Sequence, residues 1–450
     1  GNGSYSTADS YVKQVWDGRY TGIRMCNQLL ENIDRVPDLD PELKKRYIGE
    51  AKVLRAYSYY ELYTKFGDIP YTTKVLSIKE SMSIARTAKA TVIANVLADL
   101  DEVINGNYLP TSYDADNKGR ITRWAAMAIK AKIYLFEGNW TQVKNITSTI
   151  MTEGGFKLFG SYAGLFEIAN EYNSEVILDA QYRPTSREHQ MMYAFLPPSL
   201  GGYSQLSPLQ ELVDSYIMLD GKTIKETGTS FDESHPYANR DPRLKATVMY
   251  TGNSYTLADG TEVVINCEKG EGKDGYGVGS DCSATGYYIK KYWDNTYRAT
   301  LYSGLNPILI RYADILLMNA EALAELGELD KTAWDATIKP IRDRAGFTLA
   351  SALEFPEGAS KDKLIEIVRN ERRSELALEG HRHKDIIRWR IADNVLNGWC
   401  HGLKTNDVVG TDDGYVRVEN RTFNANKHYL WPIPQAERDL NGNLEQNPNW

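Results

Sequence analysis

The twenty residues Asn370-Glu-Arg-Arg-Ser-Glu-Leu-Ala-Leu-Glu-Gly-His-Arg-His-Lys-Asp-Ile-Ile-Arg-Trp389 hold four Arg, three Glu, one Asp, one Lys and two His. They directly continue the apolar run Lys363-Leu-Ile-Glu-Ile-Val368. At about 100° per residue, Glu371, Glu375 and Glu379 fall within roughly 60° of Leu364 on the apolar face, while Arg369 and Arg373 point away. Any fold for this chain must therefore place carboxylates against a core, and buried carboxylates need cationic partners. Cations near in sequence are Arg372, Arg382 and Arg388. The stretch is read as a semi-buried structural ion network of Glu371, Arg372, Glu375, Glu379, Arg382 and Arg388. A competing reading makes Glu371 and Glu375 the acid and nucleophile of a glycosidase. Such pairs flank a scissile bond from opposite sides, roughly 5–9.5 Å apart. Two carboxylates one turn apart on one helix lie side by side, which disfavours that reading.

Other chemistries fail on context. Gly270-Glu-Gly-Lys-Asp-Gly275 matches GxGxxG in letters, but no helix follows to hold a pyrophosphate. His381, His383 and Asp385 sit too close together to converge on a metal without a supporting loop. Asp114-Ala-Asp-Asn-Lys-Gly119 begins like a calcium loop but has Ala125 where the bidentate acid belongs. No P-loop, HExxH or GxSxG is present. No metal or cofactor is expected. Cys26, Cys267, Cys282 and Cys400 form no CxxC pair. Cys267 and Cys282 flank a Gly-rich loop, so a closing disulfide and two free thiols both stay open.

The net charge of −8 argues against nucleic acid or an anionic lipid surface as the main partner. No run of the roughly 18 apolar residues needed for a transmembrane helix occurs. The start, Gly-Asn-Gly-Ser-Tyr, reads as trimmed, so a targeting segment is expected to have preceded it. Thirty Tyr stand against ten Phe. That bias favours half-wet surfaces where a ring packs and a hydroxyl bonds, as in binding a sugar ring or a protein partner.

Periodicity and caps predict helices over 41–65, 87–105, 122–136 and 140–151. From about 155 to 305, short β-like runs at 175–179, 246–250, 262–266 and 286–290 alternate with Gly/Ser/Pro/Asn loops. One helix over 208–218 is expected there. Helices return at 310–326, 331–345, 361–379 and 385–395. The pairs 122–151 and 310–345 resemble tetratricopeptide hairpins.

With these elements placed, the 370–389 stretch resembles the C-terminal signature of the SusD/RagB family, ERRxELxxEGxRxxDLxRW. Three blocks agree in order: Ala51-Lys-Val-Leu-Arg-Ala-Tyr-Ser-Tyr-Tyr-Glu-Leu62 ending in Phe66-Gly-Asp-Ile-Pro70, then Ile310-Arg-Tyr-Ala-Asp-Ile-Leu-Leu-Met-Asn-Ala-Glu-Ala-Leu323, and Leu430-Trp-Pro-Ile-Pro434 with Gln446-Asn-Pro448. The resemblance implies a mainly α fold: a tetratricopeptide-like superhelix of about four helix pairs carrying an irregular, loop-rich half with short strands. It implies one domain over 1–450, with helical scaffold at 1–154 and 306–395, an irregular part at 155–305 and an irregular C-terminal segment at 396–450. It further implies a non-catalytic, lipid-anchored outer-membrane protein at the cell surface, one that captures an oligo- or polysaccharide and passes it to a SusC-like TonB-dependent transporter. Cys26 lies too far into helical sequence to be the anchor. The alternatives are the same scaffold binding peptides or another nutrient and, more remotely, a glycoside hydrolase. Motifs do not carry the ligand contacts, so chemistry must. Aromatic platforms with polar edges single out Tyr71, Tyr203, Trp293, Tyr297, Arg298 and Tyr302.

Overall fold

The structure is a computed structural model and describes residues 3–296 and 301–450. It is mainly helical, with a few short antiparallel strands. The chain divides into two compact units. One contains residues up to Gly154 with His383–Asn397 and Arg421–Trp450; the other contains Gly155–Arg382 and Gly398–Asn420. The sequence grouped 306–395 with the N-terminal helices; in the structure residues up to Arg382 group with the irregular part instead.

The first unit is built from helices Ser10–Asn32, Pro41–Phe66, Lys89–Asn105, Arg123–Phe136 and Trp140–Glu153. Four of the five begin at a side-chain cap: Asp9, Asp40, Thr122 and Asn139 each accept a backbone N–H of the first turn. Pro41 sits at the first helical position, where its missing N–H costs nothing. The Pro41–Phe66 helix is wrapped by its neighbours, burying Val53, Ala56, Tyr59, Leu62, Tyr63 and Phe66. Arg55 lies buried on it and ties three helices together. Its Nη1 donates to Asn27 at 2.8 Å and its Nη2 to Asp99 at 2.5 Å.

Gly67 ends that helix at φ +72°. The carbonyl of Phe66, buried and without a helical partner, then accepts from the Nδ2 of Asn447 at 2.8 Å, and the same amide donates to the Trp431 carbonyl at 2.7 Å. Gln446 exchanges two hydrogen bonds with the backbone of Ile433. The Leu430–Pro434 and Gln446–Pro448 blocks are thus one device that closes a helix end.

In the second unit, helices Tyr312–Leu326, Lys331–Ala345 and Lys361–Glu375 pack on one another. Short antiparallel pairs join 176–179 to 308–311, 248–249 to 288–289 and 254–256 to 262–264. Several expectations need correction. The 361–379 helix ends at Glu375, with Leu378 in a left-handed conformation beyond it, so Glu379 follows the helix end; the 385–395 helix is two short ones, Arg382–Arg388 and Ala392–Val395. The 246–250 strand is replaced by a helix, Pro242–Thr247, capped by Asp241, with only Val248–Met249 extended. The 208–218 helix is a single turn, Gln210–Val213. It stops because the Arg240 guanidinium takes the carbonyls of Val213 and Tyr216, both at 2.7 Å. The 396–450 segment is not wholly irregular: Gly398–Lys404, Thr411–Asp412 and Tyr415–Arg421 form a three-stranded sheet. Its hairpin turns on Asp413-Gly414, both at positive φ, the pattern a two-residue turn demands. All four cysteines are free thiols.

Replacing Arg55 by Ala leaves Asp99 and Asn27 without their shared partner. It is expected to cost about 3 kcal/mol, read as a lower urea midpoint with an unchanged m-value.

Candidate functional site

The first candidate is the acidic face of the 361–375 helix. Five buried carboxylates, Glu175, Asp241, Glu371, Glu375 and Glu379, meet five buried cations, Arg243, Lys291, Arg311, Arg342 and Arg344. Glu371 receives Arg243 at 2.6 Å and Arg342 at 2.7 Å. Glu375 receives Arg243 at 2.9 Å, Arg311 at 2.5 Å and Arg344. Glu379 is held in a two-point grip by Arg311, Nε and Nη2 each at 2.7 Å, and by Lys291 at 2.7 Å. The cations differ from those the sequence offered. Arg372 pairs with Asp314 at 2.6 Å and Arg388 with Asp385 at 2.8 Å, and Arg382 is half-buried at the start of its helix. A helical wheel shows which face is buried but not what packs against it.

Burial alone would raise the carboxyl pKa of these acids. The surrounding guanidinium groups overcome it, so Glu371 and Glu375 are lowered and Glu379 falls to about 2. Carboxylates held ionised among guanidinium groups have no proton to offer a substrate, and Glu371, Glu375 and Glu379 are all engaged in ion pairs. The sign of the pH dependence follows. Folded-state pKa values are below the ordinary 4.5, so their stabilisation is complete above that pH and disappears as pH falls from about 4.5 towards 2.

The second candidate is the set of loop aromatics. Tyr203 stacks on Tyr193 with centroids 4.2 Å apart and planes 26° apart, and remains 42 % exposed. Its loop is shaped by Pro197-Pro198 and by Gly202, where a Cβ would lie 2.1 Å from the Leu196 carbonyl oxygen. A Cβ on Gly201 would sit 3.8 Å from the Leu301 side chain, so the 197–203 turn adjoins the segment that carries Tyr302. Tyr302 is likewise exposed. Trp293 packs against Tyr255 at 4.9 Å, and its indole N–H donates to the Thr256 carbonyl at 2.9 Å, which fixes the ring half-buried. Tyr292 and Leu301 bracket this loop in left-handed conformations, φ 62° and 61°, each held by a buried side chain. Ser303 closes the loop by donating to Asp294 at 2.5 Å. Tyr297 and Arg298 lie outside the described residues. Tyr71 belongs to the first unit, where it packs half-buried on Tyr59 at 4.7 Å.

Sequence reasoning missed Tyr193 and Tyr255, the rings beneath Tyr203 and Trp293. It also missed a cleft of about 970 Å³ in the second unit, whose lining includes Tyr237, Tyr250, Tyr287 and Tyr415. These four come from separate segments, so no local motif announces them.

The chain combines helix pairs with loop segments rich in exposed or half-buried aromatic rings. Family comparison is specific. The model described as "SusD family" matches residues 165–450, and that described as "Starch-binding associating with outer membrane" matches residues 2–135. The chain belongs to the SusD family. A SusD-like carbohydrate-binding protein of Bacteroides fragilis shares its structure with a TM-score of 0.89 at 29 % identity, over 99 % of this chain and 88 % of that one. A SusD-like protein of Formosa agariphila is 27 % identical over 409 residues, 86 % of this chain and 71 % of the relative. A laminarin-binding SusD-like protein has the same fold, with a TM-score of 0.67 at 24 % identity over 97 % and 85 % of the two chains. Among the described residues, no helix is long and apolar enough to cross a membrane.

Two predictions follow from this geometry. Glu375→Ala leaves Arg243, Arg311 and Arg344 facing a buried gap and is expected to lower stability by about 3–5 kcal/mol; a stable mutant that has lost only ligand binding would contradict the scaffold role. Trp293→Ala combined with Tyr203→Ala is expected to weaken affinity for a bound glycan about tenfold or more, measured by calorimetric titration, while the lost packing on Tyr255 and Tyr193 lowers the melting temperature modestly and leaves the circular dichroism spectrum of the fold in place.

Proposed function

We propose that this protein is a non-catalytic glycan-binding protein of the outer membrane. It captures an oligo- or polysaccharide at the cell surface, held there by a lipid anchor, and hands it to a SusC-like TonB-dependent transporter. The observation that carries this reading is the whole-chain likeness, at 29 % identity, to a protein described as SusD-like and carbohydrate-binding. The outer-membrane description of the family matched by residues 2–135 supports the location. The transporter is what the SusD family membership implies.

The chemistry of the surface agrees. A sugar ring has one apolar face and a rim of hydroxyls. It is matched by fixed aromatic rings with polar groups at their edges, the arrangement at Tyr193–Tyr203 and Trp293. The most conspicuous acids of the chain are committed to ion pairs, which supports binding without turnover.

A glycan array followed by isothermal titration tests the proposal, with a peptide library in parallel. The expected result is saturable glycan binding, no peptide binding and recovery of the glycan unchanged. Peptide binding without glycan binding would transfer the scaffold to another nutrient. Cleavage of a bound glycan would restore the hydrolase reading.

A further inference from the structure

The second unit holds a tyrosine cluster that the loop aromatics do not include. It surrounds the cleft of about 970 Å³, at the upper end of the size range of small-ligand sites. Tyr237 and Tyr250 stack there with centroids 4.0 Å apart and planes only 17° apart. The buried Tyr287 fixes them from below: its hydroxyl donates to Gln210 at 2.5 Å and is in hydrogen-bond contact with the Tyr237 hydroxyl at 3.2 Å. Tyr237 and Tyr287 are therefore tied. The hydroxyls of Tyr250 and Tyr415 have no hydrogen-bond partner among the described residues, although both rings are half-buried and both line the cleft. Rings packed on a rigid base with unspent hydroxyls are what a saccharide needs: apolar surface for the ring and polar points for its edge.

Charge narrows the ligand class. The basic side chains of the lining, Lys404, Lys269 and His235, are already taken, by Glu233 at 2.9 Å, by Asp407 at 2.5 Å and by Asp232 at 2.9 Å. Glu268 and Glu271 add two more carboxylates to the lining. Lining acids thus outnumber lining lysines, which opposes a sulfated or uronic-acid chain and leaves a neutral one favoured. Both lysine pairs are exposed, so each contributes little and opens readily. They link the 404–407 segment to residues 233 and 269 across the cleft.

We infer that the Tyr237–Tyr250 cleft is a second saccharide-binding site, separate in its lining from the Tyr203 and Trp293 loops, and that it takes an uncharged oligosaccharide segment. This rests on the glycan-binding reading of the chain and adds a location and a ligand charge to it. Two sites on one chain would grip a long polymer more tightly than either alone, provided the chain can span them.

The test uses the whole chain and neutral hexaoses of the malto, laminari, cello, xylo and manno series, titrated by calorimetry beside a uronate-bearing oligosaccharide. Ala238 is exposed and lines the cleft, so Ala238→Trp fills the space without removing a core contact. Tyr250→Ala removes the platform. The expected result is that each variant reduces affinity for a bound neutral hexaose about tenfold or more, or removes one of two classes of site. Ala238→Trp should keep the wild-type melting temperature, and a soaked crystal should place the hexaose on Tyr250. The inference is overturned if binding is lost only in the Trp293→Ala, Tyr203→Ala double variant and is untouched by Ala238→Trp. In that case the glycan-binding reading survives. It is equally overturned if only the uronate-bearing probe binds in the cleft, or if no neutral hexaose binds the wild-type chain.

Discussion

The second unit depends on Arg311. One guanidinium reaches Glu175, Glu375 and Glu379 at once, and its Nη2 also donates to the Glu375 carbonyl at 2.7 Å. It thereby joins the strand Ile308–Arg311 to residue 175, just before the partner strand, and to the end of the 361–375 helix. Lys291 connects the same cluster to the Trp293 loop: its ammonium donates to Glu379, to the Ala377 carbonyl at 2.9 Å and to the Tyr162 hydroxyl at 2.9 Å. A buried charge network of this kind is not a cheap way to gain stability, because desolvation offsets much of the attraction. What it supplies is register. Its carboxylates and cations come from residues 175, 241–243, 291, 311, 342–344 and 371–379, so helices and irregular segments distant in sequence are pinned at one centre.

That rigidity is the precondition for the aromatic surfaces. A ring that must meet a sugar gains affinity only if it is already held in place, since ordering a loose side chain on binding costs free energy. Trp293 sits two residues from Lys291, behind Tyr292, whose hydroxyl accepts the Ile308 N–H at 3.1 Å. Tyr203 is braced by Tyr193 both through its ring and through its backbone N–H, which donates to the Tyr193 carbonyl at 3.0 Å. The charge network and the proposed binding rings are thus connected through Lys291 and Tyr292.

The parts legible in the sequence were those decided locally. Asp40-Pro41, Thr122 and Asp330 announce helices that the structure places within a residue or two of expectation. The acidic face of the 361–375 helix was legible from period alone. Its partners were not, because Arg311 and Arg243 lie 64 and 132 residues from Glu375. The failed 208–218 helix has the same cause, a carbonyl-capping arginine from a later segment. The Asp413-Gly414 hairpin, by contrast, carried a visible turn signal inside a segment read as irregular. The cleft tyrosines carried only a compositional trace, the excess of Tyr over Phe, since four segments must fold before they share a wall.

The helix end at Phe66 has a consequence in time. Asn447, which satisfies its carbonyl, is among the last residues of the chain, and Arg86 donates to the same Asn447 side chain at 2.5 Å. The first unit is therefore discontinuous: its opening helices are complete only when residues 421–450 return to them. During synthesis the N-terminal helices emerge first yet wait for the tail before their packing closes. A fragment that stops before residue 421 therefore lacks the side chain of Asn447, which closes this helix end.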